Sequence, residues 1–207
     1  MTKVKICGIK RMEDISYVNE LKPEYIGFVF AKSKRQIEPF FAKQLKEKLD
    51  HNIQTVGVFV NETIERIVTI YEEVGLDIVQ LHGDETIEYI EQIPKHIKVW
   101  KAFRIQKKED LEQVLFYEKH SPIDGVLLDA YHEKEYGGSG ISFDWKYLQN
   151  FQGKDYILAG GLHSNNIETA LQIASPSIVD ISSGVEENGN KSYEKIKEFI
   201  EKVRKIK

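Results

Sequence analysis

The sequence predicts an α/β fold of the (β/α)8 type, a TIM barrel formed by a single domain over residues 1–207. Short apolar segments alternate with amphipathic ones along the whole chain, as a parallel sheet covered by helices requires. Each strand–helix repeat takes about 21 to 30 residues, and eight repeats close a barrel near the lower size limit of this fold. No linker, low-complexity segment or change in composition divides the chain.

Eight apolar runs have the composition of strands that are buried on both faces. The predicted strands are Val4–Cys7, Tyr25–Phe30, Thr55–Val60, Ile78–Leu81, Val99–Phe103, Gly125–Asp129, Tyr156–Ala159 and Ile178–Ile181.

Helical patterns lie between and after these runs. The predicted helices are roughly Met12–Leu21, Pro39–Leu49, Thr63–Val74, Thr86–Ile93, Lys108–Tyr117, Phe143–Asn150, Asn166–Ala174 and Ser192–Val203. Pro39 suits a first helical turn, where no backbone donor is needed. Asn61, Asp84 and Ser164 are expected to cap the helices that follow them.

The clearest strand–helix–strand unit is the segment Tyr156–Glu186. Its two strands end in small residues, Gly160-Gly161 after the first and Ser182-Ser183-Gly184 after the second. Small residues let backbone N–H groups approach an oxyanion, and a helix N-terminus adds partial positive charge. Glycines that only turn the chain are the alternative. Because two such turns follow consecutive strands, we favour a phosphate cradle.

An open, doubly wound sheet is the alternative to the barrel. That fold normally carries a G-x-G-x-x-G fingerprint after its first strand, and the segment CGIKRM lacks it. A barrel gathers the carboxyl ends of all its strands on one face, where barrel enzymes work. Candidate functional residues are therefore sought at the strand ends.

The composition limits the classes of partner. The chain is 41% hydrophobic and 30% charged, with a formal net charge of −4. These values and the lack of a basic block give no sign of a nucleic-acid or anionic-membrane partner. No apolar run approaches the roughly 20 residues that span a bilayer. Because the first strand begins within a few residues, we expect no secretory signal. The single cysteine cannot form an internal disulfide and fits a reducing, cytoplasmic location.

Two strand-end residues have side chains suited to proton transfer. Cys7 ends the first strand; an isolated cysteine is often an inert core residue, but at the catalytic face its thiolate could act as base or nucleophile. Asp129 ends the sixth strand, directly after a valine and two leucines. A carboxylate is costly to bury there without a partner or a purpose, so we expect it to exchange a proton.

Other strand ends carry candidate binding residues. Arg35 could bind a substrate carboxylate through two parallel hydrogen bonds, whereas Lys32 and Lys34 are expected to lie in a solvated loop. His82 is either a hydrogen-bonded structural residue or a substrate contact, and Gln80 is expected to pack inside the barrel. Phe30, Phe59 and Phe103 are expected to be core residues, although an aromatic ring at the rim could also cover a substrate ring.

The segment 131–140 contains Gly137, Gly138 and Gly140 and is predicted to be a flap over the ligand, with a loose connection as the alternative. No cluster of His, Cys, Asp and Glu has metal-ligand spacing, so we expect no metal. No Ser-His-Asp arrangement is visible. A thiol and a carboxylate facing a phosphosugar predict proton shuttling and hence isomerisation.

Several motifs in this order resemble one enzyme family. They are VKICGIK at Val4–Lys10, IGFVF followed by Ser33–Arg35, VGVFVNE at Val56–Glu62, VQLHGDE at Val79–Glu85, LLDA at Leu127–Ala130, GGSG before FDW, AGGL and DISSGVE. Together they resemble the phosphoribosylanthranilate isomerases of tryptophan biosynthesis over nearly the whole chain.

The resemblance implies a cofactor-free Amadori rearrangement of N-(5′-phosphoribosyl)anthranilate to 1-(o-carboxyphenylamino)-1-deoxyribulose 5-phosphate in a (β/α)8 barrel. It implies that Cys7 is the general base, Asp129 the general acid, and Arg35 the contact to the anthranilate carboxylate. The implied phosphate site comprises Gly160, Gly161, Ser182, Ser183 and Gly184.

Three residues depart from the family pattern. Lys34 and Ser164 stand where the family commonly has proline, and Ser192 stands where it often has aspartate. Lys34 puts the angle of Arg35 in question, whereas Ser164 can cap its helix instead.

Two other kinds of protein share part of this pattern. The isomerase of histidine biosynthesis resembles it in chemistry, but that family has a carboxylate where this chain has Cys7, and a second phosphate site in the first half of its barrel. A non-catalytic phosphosugar-binding barrel would need neither Cys7 nor Asp129. A monomer and a homodimer are both compatible with the sequence.

Overall fold

A computed structural model shows a closed barrel of eight parallel strands. It describes residues 1–130, 143–149, 151, 153 and 155–206. The strands are β1 Lys3–Cys7, β2 Tyr25–Val29, β3 Gln54–Phe59, β4 Ile78–Leu81, β5 Lys98–Ile105, β6 Gly125–Ala130, β7 Tyr156–Leu158 and β8 Ile178–Ile181. Each strand pairs with its neighbours in chain order, and β8 pairs with β1 to close the barrel. The predicted (β/α)8 fold is confirmed.

The described residues form seven α-helices. They are α1 Met12–Leu21, α2 Pro39–Lys46, α3 Ile64–Val74, α4 Ile87–Ile90, α5 Asp110–His120, α6 Ile167–Ala174 and α7 Tyr193–Lys205. The predicted helix over Phe143–Asn150 was wrong in type, because the chain there forms a short 3-10 helix over Trp145–Leu148. None of these helices is long and apolar enough to span a bilayer, a statement that covers the described residues only.

The predicted helix caps were wrong by a few residues. The side chains of Thr63 and Thr86 accept the capping hydrogen bonds at α3 and α4. Asn61 instead accepts a hydrogen bond from the backbone N–H of Asp84, so this pair ties the loop after β3 to the loop after β4. Asn166, not Ser164, is the N-cap residue of α6.

Strand alternation divides the apolar residues into two layers. The outward layer packs the strands against the helices in one large cluster. The inward layer is a smaller cluster inside the barrel, formed by Tyr25, Val56, Ile78, Trp100, Ala102, Leu127, Ile157, Ala159 and Ile178. The same inward-facing series continues towards the strand ends with polar residues such as Lys5, Gln80 and Asp129, which are buried.

A short hairpin follows β8 and was not predicted. Its strands are β9 Glu186–Glu187 and β10 Asn190–Lys191, joined by Asn188-Gly189 with both residues at positive φ. Asn-Gly between two strands is the strongest short hairpin signal, so the sequence contained the information. The hairpin returns Lys191 to the end of β8.

Candidate active site

A cavity of about 680 Å³ opens at the carboxyl ends of the strands. All the predicted site residues except Gly184 line it, namely Cys7, Arg35, His82, Asp129, Gly160, Gly161, Ser182 and Ser183. Cys7 ends β1 and Asp129 lies near the end of β6, and the two strands that separate them on the short side of the barrel carry the predicted cradle at their ends. The thiol, the carboxylate and the cradle therefore surround one space. The predicted flap over 131–140 lies outside the described residues.

The thiol of Cys7 is buried and surrounded by charges. Burial raises the pKa of Cys7 above its ordinary value; Lys5 opposes this rise and Asp180 adds to it. The close packing leaves no room for a larger neighbour on β2, because a Cβ added to Gly27 would lie 2.8 Å from the Cys7 sulfur. The hydroxyl of Ser182 donates to the Cys7 carbonyl at 3.0 Å and ties the end of β8 to the end of β1.

The carboxyl group of Asp129 makes two hydrogen-bond contacts with groups of the protein. Its Oδ1 accepts from the backbone N–H of Ala130 at 2.8 Å, and its Oδ2 lies 3.1 Å from Nε2 of His82. Asp129 is 3% exposed, so these contacts replace water around the group. His82 thus contacts the candidate acid directly. It is hydrogen-bonded, as a structural histidine would be, and it also lines the cavity, as a substrate contact would.

A chain of buried hydrogen bonds crosses the barrel, and four of its five residues line the cavity. Lys5 Nζ donates to Asp180 Oδ2 and to Gln80 Oε1, each at 2.9 Å. Gln80 Nε2 lies 3.0 Å from His82 Nδ1, and His82 reaches Asp129. We call these five residues the interior network. Gln80 does point into the barrel as expected, but it connects polar groups rather than filling space.

The guanidinium of Arg35 pairs with Glu186 of the hairpin. Nε and Nη2 of Arg35 donate to the two carboxylate oxygens of Glu186 at 2.7 and 3.0 Å, and Lys191 donates to Glu186 Oε1 at 2.9 Å. Burial alone would raise the pKa of Glu186, but the hydrogen bonds and charges of Arg35 and Lys191 outweigh it and lower the pKa to about 2. A substrate carboxylate would have to share Arg35 with Glu186.

The two small-residue turns of the predicted cradle lie side by side. Gly160 and Gly161 both have positive φ, which disfavours any residue with a side chain. A Cβ on Gly160 would also lie 2.5 Å from the Ala130 nitrogen and 2.8 Å from Asp129 Oδ1. Gly184 packs against the carbonyl oxygen of Leu162 rather than lining the cavity, and a Cβ there would overlap that oxygen. Gly184 therefore lets the two turns approach each other.

Sequence reasoning assigned no role in this site to five residues: Lys5, Gln80, Asp180, Glu186 and Lys191. A signal existed for the first three. Each is a polar residue inside an apolar strand and two positions before a predicted site residue, so alternation puts both on the inward face. Glu186 and Lys191 belong to the hairpin that was not predicted, and nothing in their own spacing indicates Arg35 as a partner.

The depressed pKa of Glu186 predicts a pH-dependent loss of stability. A carboxylate whose pKa falls from 4.5 to about 2 on folding stabilises the protein above pH 4.5, and this contribution is lost as the pH falls towards 2. The loss from this group is at most about 3 kcal/mol in the free energy of unfolding. Chemical denaturation of wild type at several pH values should show it.

In Glu186→Gln this part of the acid dependence should disappear. The variant should also be less stable at neutral pH, since Arg35 and Lys191 lose their counter-charge. Glu187→Gln, at the exposed neighbouring position, is the matched control and should behave like wild type. An unchanged acid slope in Glu186→Gln would contradict the assigned ion pairs.

Comparisons with known proteins agree on one family. The family model described as N-(5′phosphoribosyl)anthranilate (PRA) isomerase matches residues 4–202. Proteins named N-(5′-phosphoribosyl)anthranilate isomerase from Thermoanaerobacter sp. (strain X514) and Clostridium acetobutylicum are 52% and 50% identical, and each match covers 100% of both chains.

Solved structures extend the agreement to three dimensions. The crystal structure of phosphoribosyl anthranilate isomerase from Thermotoga maritima is 37% identical with a TM-score of 0.91, and the match covers 100% of both chains. A crystal structure of a phosphoribosyl anthranilate isomerase in complex with reduced 1-(o-carboxyphenylamino)-1-deoxyribulose 5-phosphate is 36% identical with a TM-score of 0.87, again over 100% of both chains. The chain belongs to the N-(5′-phosphoribosyl)anthranilate isomerase family.

Proposed function

We propose that this chain catalyses the Amadori rearrangement of N-(5′-phosphoribosyl)anthranilate to 1-(o-carboxyphenylamino)-1-deoxyribulose 5-phosphate, a step of tryptophan biosynthesis, with Asp129 as general acid and Cys7 as general base. The observation that carries the roles is that a thiol and a carboxylate line one cavity on either side of the glycine and serine turns. Membership of the family supports the reaction.

The cavity offers a separate environment for each part of this substrate. The phosphate would lie in the cradle, against backbone N–H groups of the turns at Gly160-Gly161 and Ser182-Ser183. The anthranilate ring would lie against the apolar wall that includes Phe30, which stacks on Phe59 with 5.2 Å between ring centroids. The anthranilate carboxylate would reach Arg35.

The chemistry then follows from proton positions. Asp129 donates a proton to the furanose ring oxygen, the bond from C1′ to that oxygen breaks, and the anthranilate nitrogen supplies the electron pair that forms the iminium. The iminium acidifies C2′, and the Cys7 thiolate removes the C2′ proton. The C2′–H electrons form the C1′–C2′ double bond of an enolamine, which tautomerises to the ketose. Each proton transfer contributes roughly 10²–10⁴-fold, and the cradle contributes positioning.

Asp180 supplies a further polar group to this space. Its Oδ2 pairs with Lys5, whereas its Oδ1 is buried without a hydrogen-bond partner among the described residues, and the residue lines the cavity. A buried acceptor without a donor is costly, so a hydroxyl of the ribose is a suitable partner for it.

The proposed function also bears on where the protein is located and how it assembles. A cytoplasmic location fits a small-molecule biosynthetic step that uses a reduced cysteine. One solved relative, from Thermotoga maritima, is described as a dimeric phosphoribosylanthranilate isomerase from which monomers were generated. For this chain we keep both a monomer and a homodimer as proposals.

The roles of the acid and the base predict selective losses of turnover. Cys7→Ser and Asp129→Asn should each lower kcat by about 10²-fold or more, because each removes one proton transfer. Both should leave the binding of inorganic phosphate nearly unchanged, since neither residue belongs to the turns of the proposed phosphate cradle. Fluorescence-monitored turnover and calorimetry would measure the two effects. Full activity in both variants would favour a non-catalytic phosphosugar-binding protein.

The raised pKa of Cys7 predicts the alkaline limit of activity. The active form carries one proton on the acid–base pair, so kcat/KM falls once both groups are deprotonated. Because burial raises the Cys7 pKa above its ordinary value, this fall should come at a higher pH than the titration of an ordinary thiol. Stability at each pH, measured in parallel, separates titration from unfolding. A decline that starts at pH 7 to 8 would contradict the raised value.

The close contact at Gly160 predicts a loss of activity beyond the loss of stability. Gly160→Ala should lower the free energy of unfolding by about 1–2 kcal/mol through its positive φ and should also displace Asp129. Gly75→Ala is the matched control: Gly75 has φ +71, but a Cβ there meets nothing within 4 Å. Both variants should lose stability, and only Gly160→Ala should lose turnover. Equal turnover in the two would show that the contact with Asp129 is unimportant.

A further inference from the structure

Gln80 occupies a place that the proposed chemistry does not use. It lies on β4 two residues before His82, so both side chains point into the barrel, and it is 1% exposed. Its side-chain oxygen lies 2.9 Å from Lys5 Nζ, and its side-chain nitrogen lies 3.0 Å from His82 Nδ1. Gln80 therefore bridges a cation and an imidazole.

The orientation of the Gln80 amide follows from its charged neighbour. Lys5 pairs with Asp180 at 2.9 Å. Burial acts to lower the Lys5 pKa, but Asp180 and Cys7 outweigh it and raise the pKa, so the ammonium is charged. An ammonium has donors and no acceptor. The Gln80 atom that faces Lys5 must therefore be the oxygen, and the NH2 group faces His82.

The amide orientation in turn decides which nitrogen of His82 carries a proton. An NH2 group only donates, so His82 Nδ1 must accept and cannot carry hydrogen. A doubly protonated ring would place two donors against each other at this contact. The remaining tautomer has its proton on Nε2, which faces Asp129 Oδ2 at 3.1 Å. We propose that Gln80 is a positioning residue that holds His82 in the Nε2–H tautomer and thereby keeps a hydrogen-bond donor aimed at Asp129.

The tautomer matters for the acid step, and this part rests on the proposed function. When Asp129 gives its proton to the ring oxygen, it becomes a carboxylate, and the hydrogen bond from His82 Nε2–H strengthens as that charge develops. In the other tautomer, Nε2 would present a lone pair. Protonated Asp129 would then donate to His82 rather than to the substrate, and the acid would be withheld.

Gln80→Glu tests this directly. A glutamate keeps the size of the side chain and the contact to Lys5, but its second oxygen cannot donate to Nδ1. His82 should therefore gain a proton on Nδ1, which nitrogen-15 NMR of the imidazole detects, with assignment by loss of the signal in His82→Asn. Whether the ring becomes the Nδ1–H tautomer or an imidazolium, Asp129 no longer faces a neutral Nε2–H donor. We expect kcat to fall by about 10- to 100-fold with little change in KM, part of the roughly 10²–10⁴-fold that a positioned acid supplies.

Two other variants separate positioning from a merely structural role. Gln92→Glu makes the same change at an exposed helix-flanking site and should leave the spectrum and kcat unchanged. Gln80→Met removes the donor without adding charge; it should also lower kcat and give a mixture of tautomers. If Gln80→Glu does not fold, Gln80→Met and the wild-type spectrum still decide the question.

Specific results would overturn the inference. A wild-type spectrum with the proton on Nδ1 would remove the assignment, and so would a Gln80→Glu protein that keeps the Nε2–H tautomer. If a Gln80 variant shifted the His82 tautomer but kept the wild-type kcat, the tautomer would not matter for catalysis. Full turnover by Asp129→Asn would overturn the acid role instead, whereas the wild-type spectrum tests the tautomer independently of that outcome.

Discussion

The arrangement of this site depends on one fully buried ammonium group, that of Lys5 in the first strand. An isolated cation in the interior of a protein is destabilising by several kcal/mol unless charges and acceptors surround it. Asp180 supplies the charge and Gln80 supplies an acceptor, each at 2.9 Å. These partners come from β8 and β4, so one side chain holds together the ends of strands on opposite sides of the barrel.

The same ammonium acts on both of the groups that we propose to transfer protons. It lies close enough to Cys7 to lower the pKa of the thiol against the larger, opposing effect of burial. Through Gln80 it also determines how His82 faces Asp129. A neutral residue at position 5 would remove the charge near Cys7 and free the Gln80 amide to turn over. The proposed base and the proposed acid are therefore coupled through a residue that is fully shielded from solvent.

Much of this could be predicted from the sequence, because period-two alternation and small residues at strand ends are local patterns. All eight strands were predicted within two residues at each end, and Cys7 and Asp129 follow from their positions at strand ends. The pairing of Lys5 with Gln80 could not be predicted in the same way, since it joins residues 75 apart across the barrel. The capping error at Asn61 has a similar cause, because its side chain bonds to a neighbouring loop rather than to its own helix.

Arg35 shows most clearly why residue type alone does not determine a binding role. A guanidinium suits a carboxylate, so the sequence indicated Arg35 as a ligand for a substrate carboxylate. It did not indicate that a carboxylate of the protein, that of Glu186, binds the same guanidinium. Glu186 binds two of its nitrogens, and Lys191 donates to the same carboxylate, so the three side chains form one cluster of ion pairs. Glu186 thus fixes the position of Arg35 at the wall of the cavity that we propose to bind a phosphate and a carboxylate. The hairpin that carries Glu186 and Lys191 is consequently part of the site, although it follows the last barrel strand.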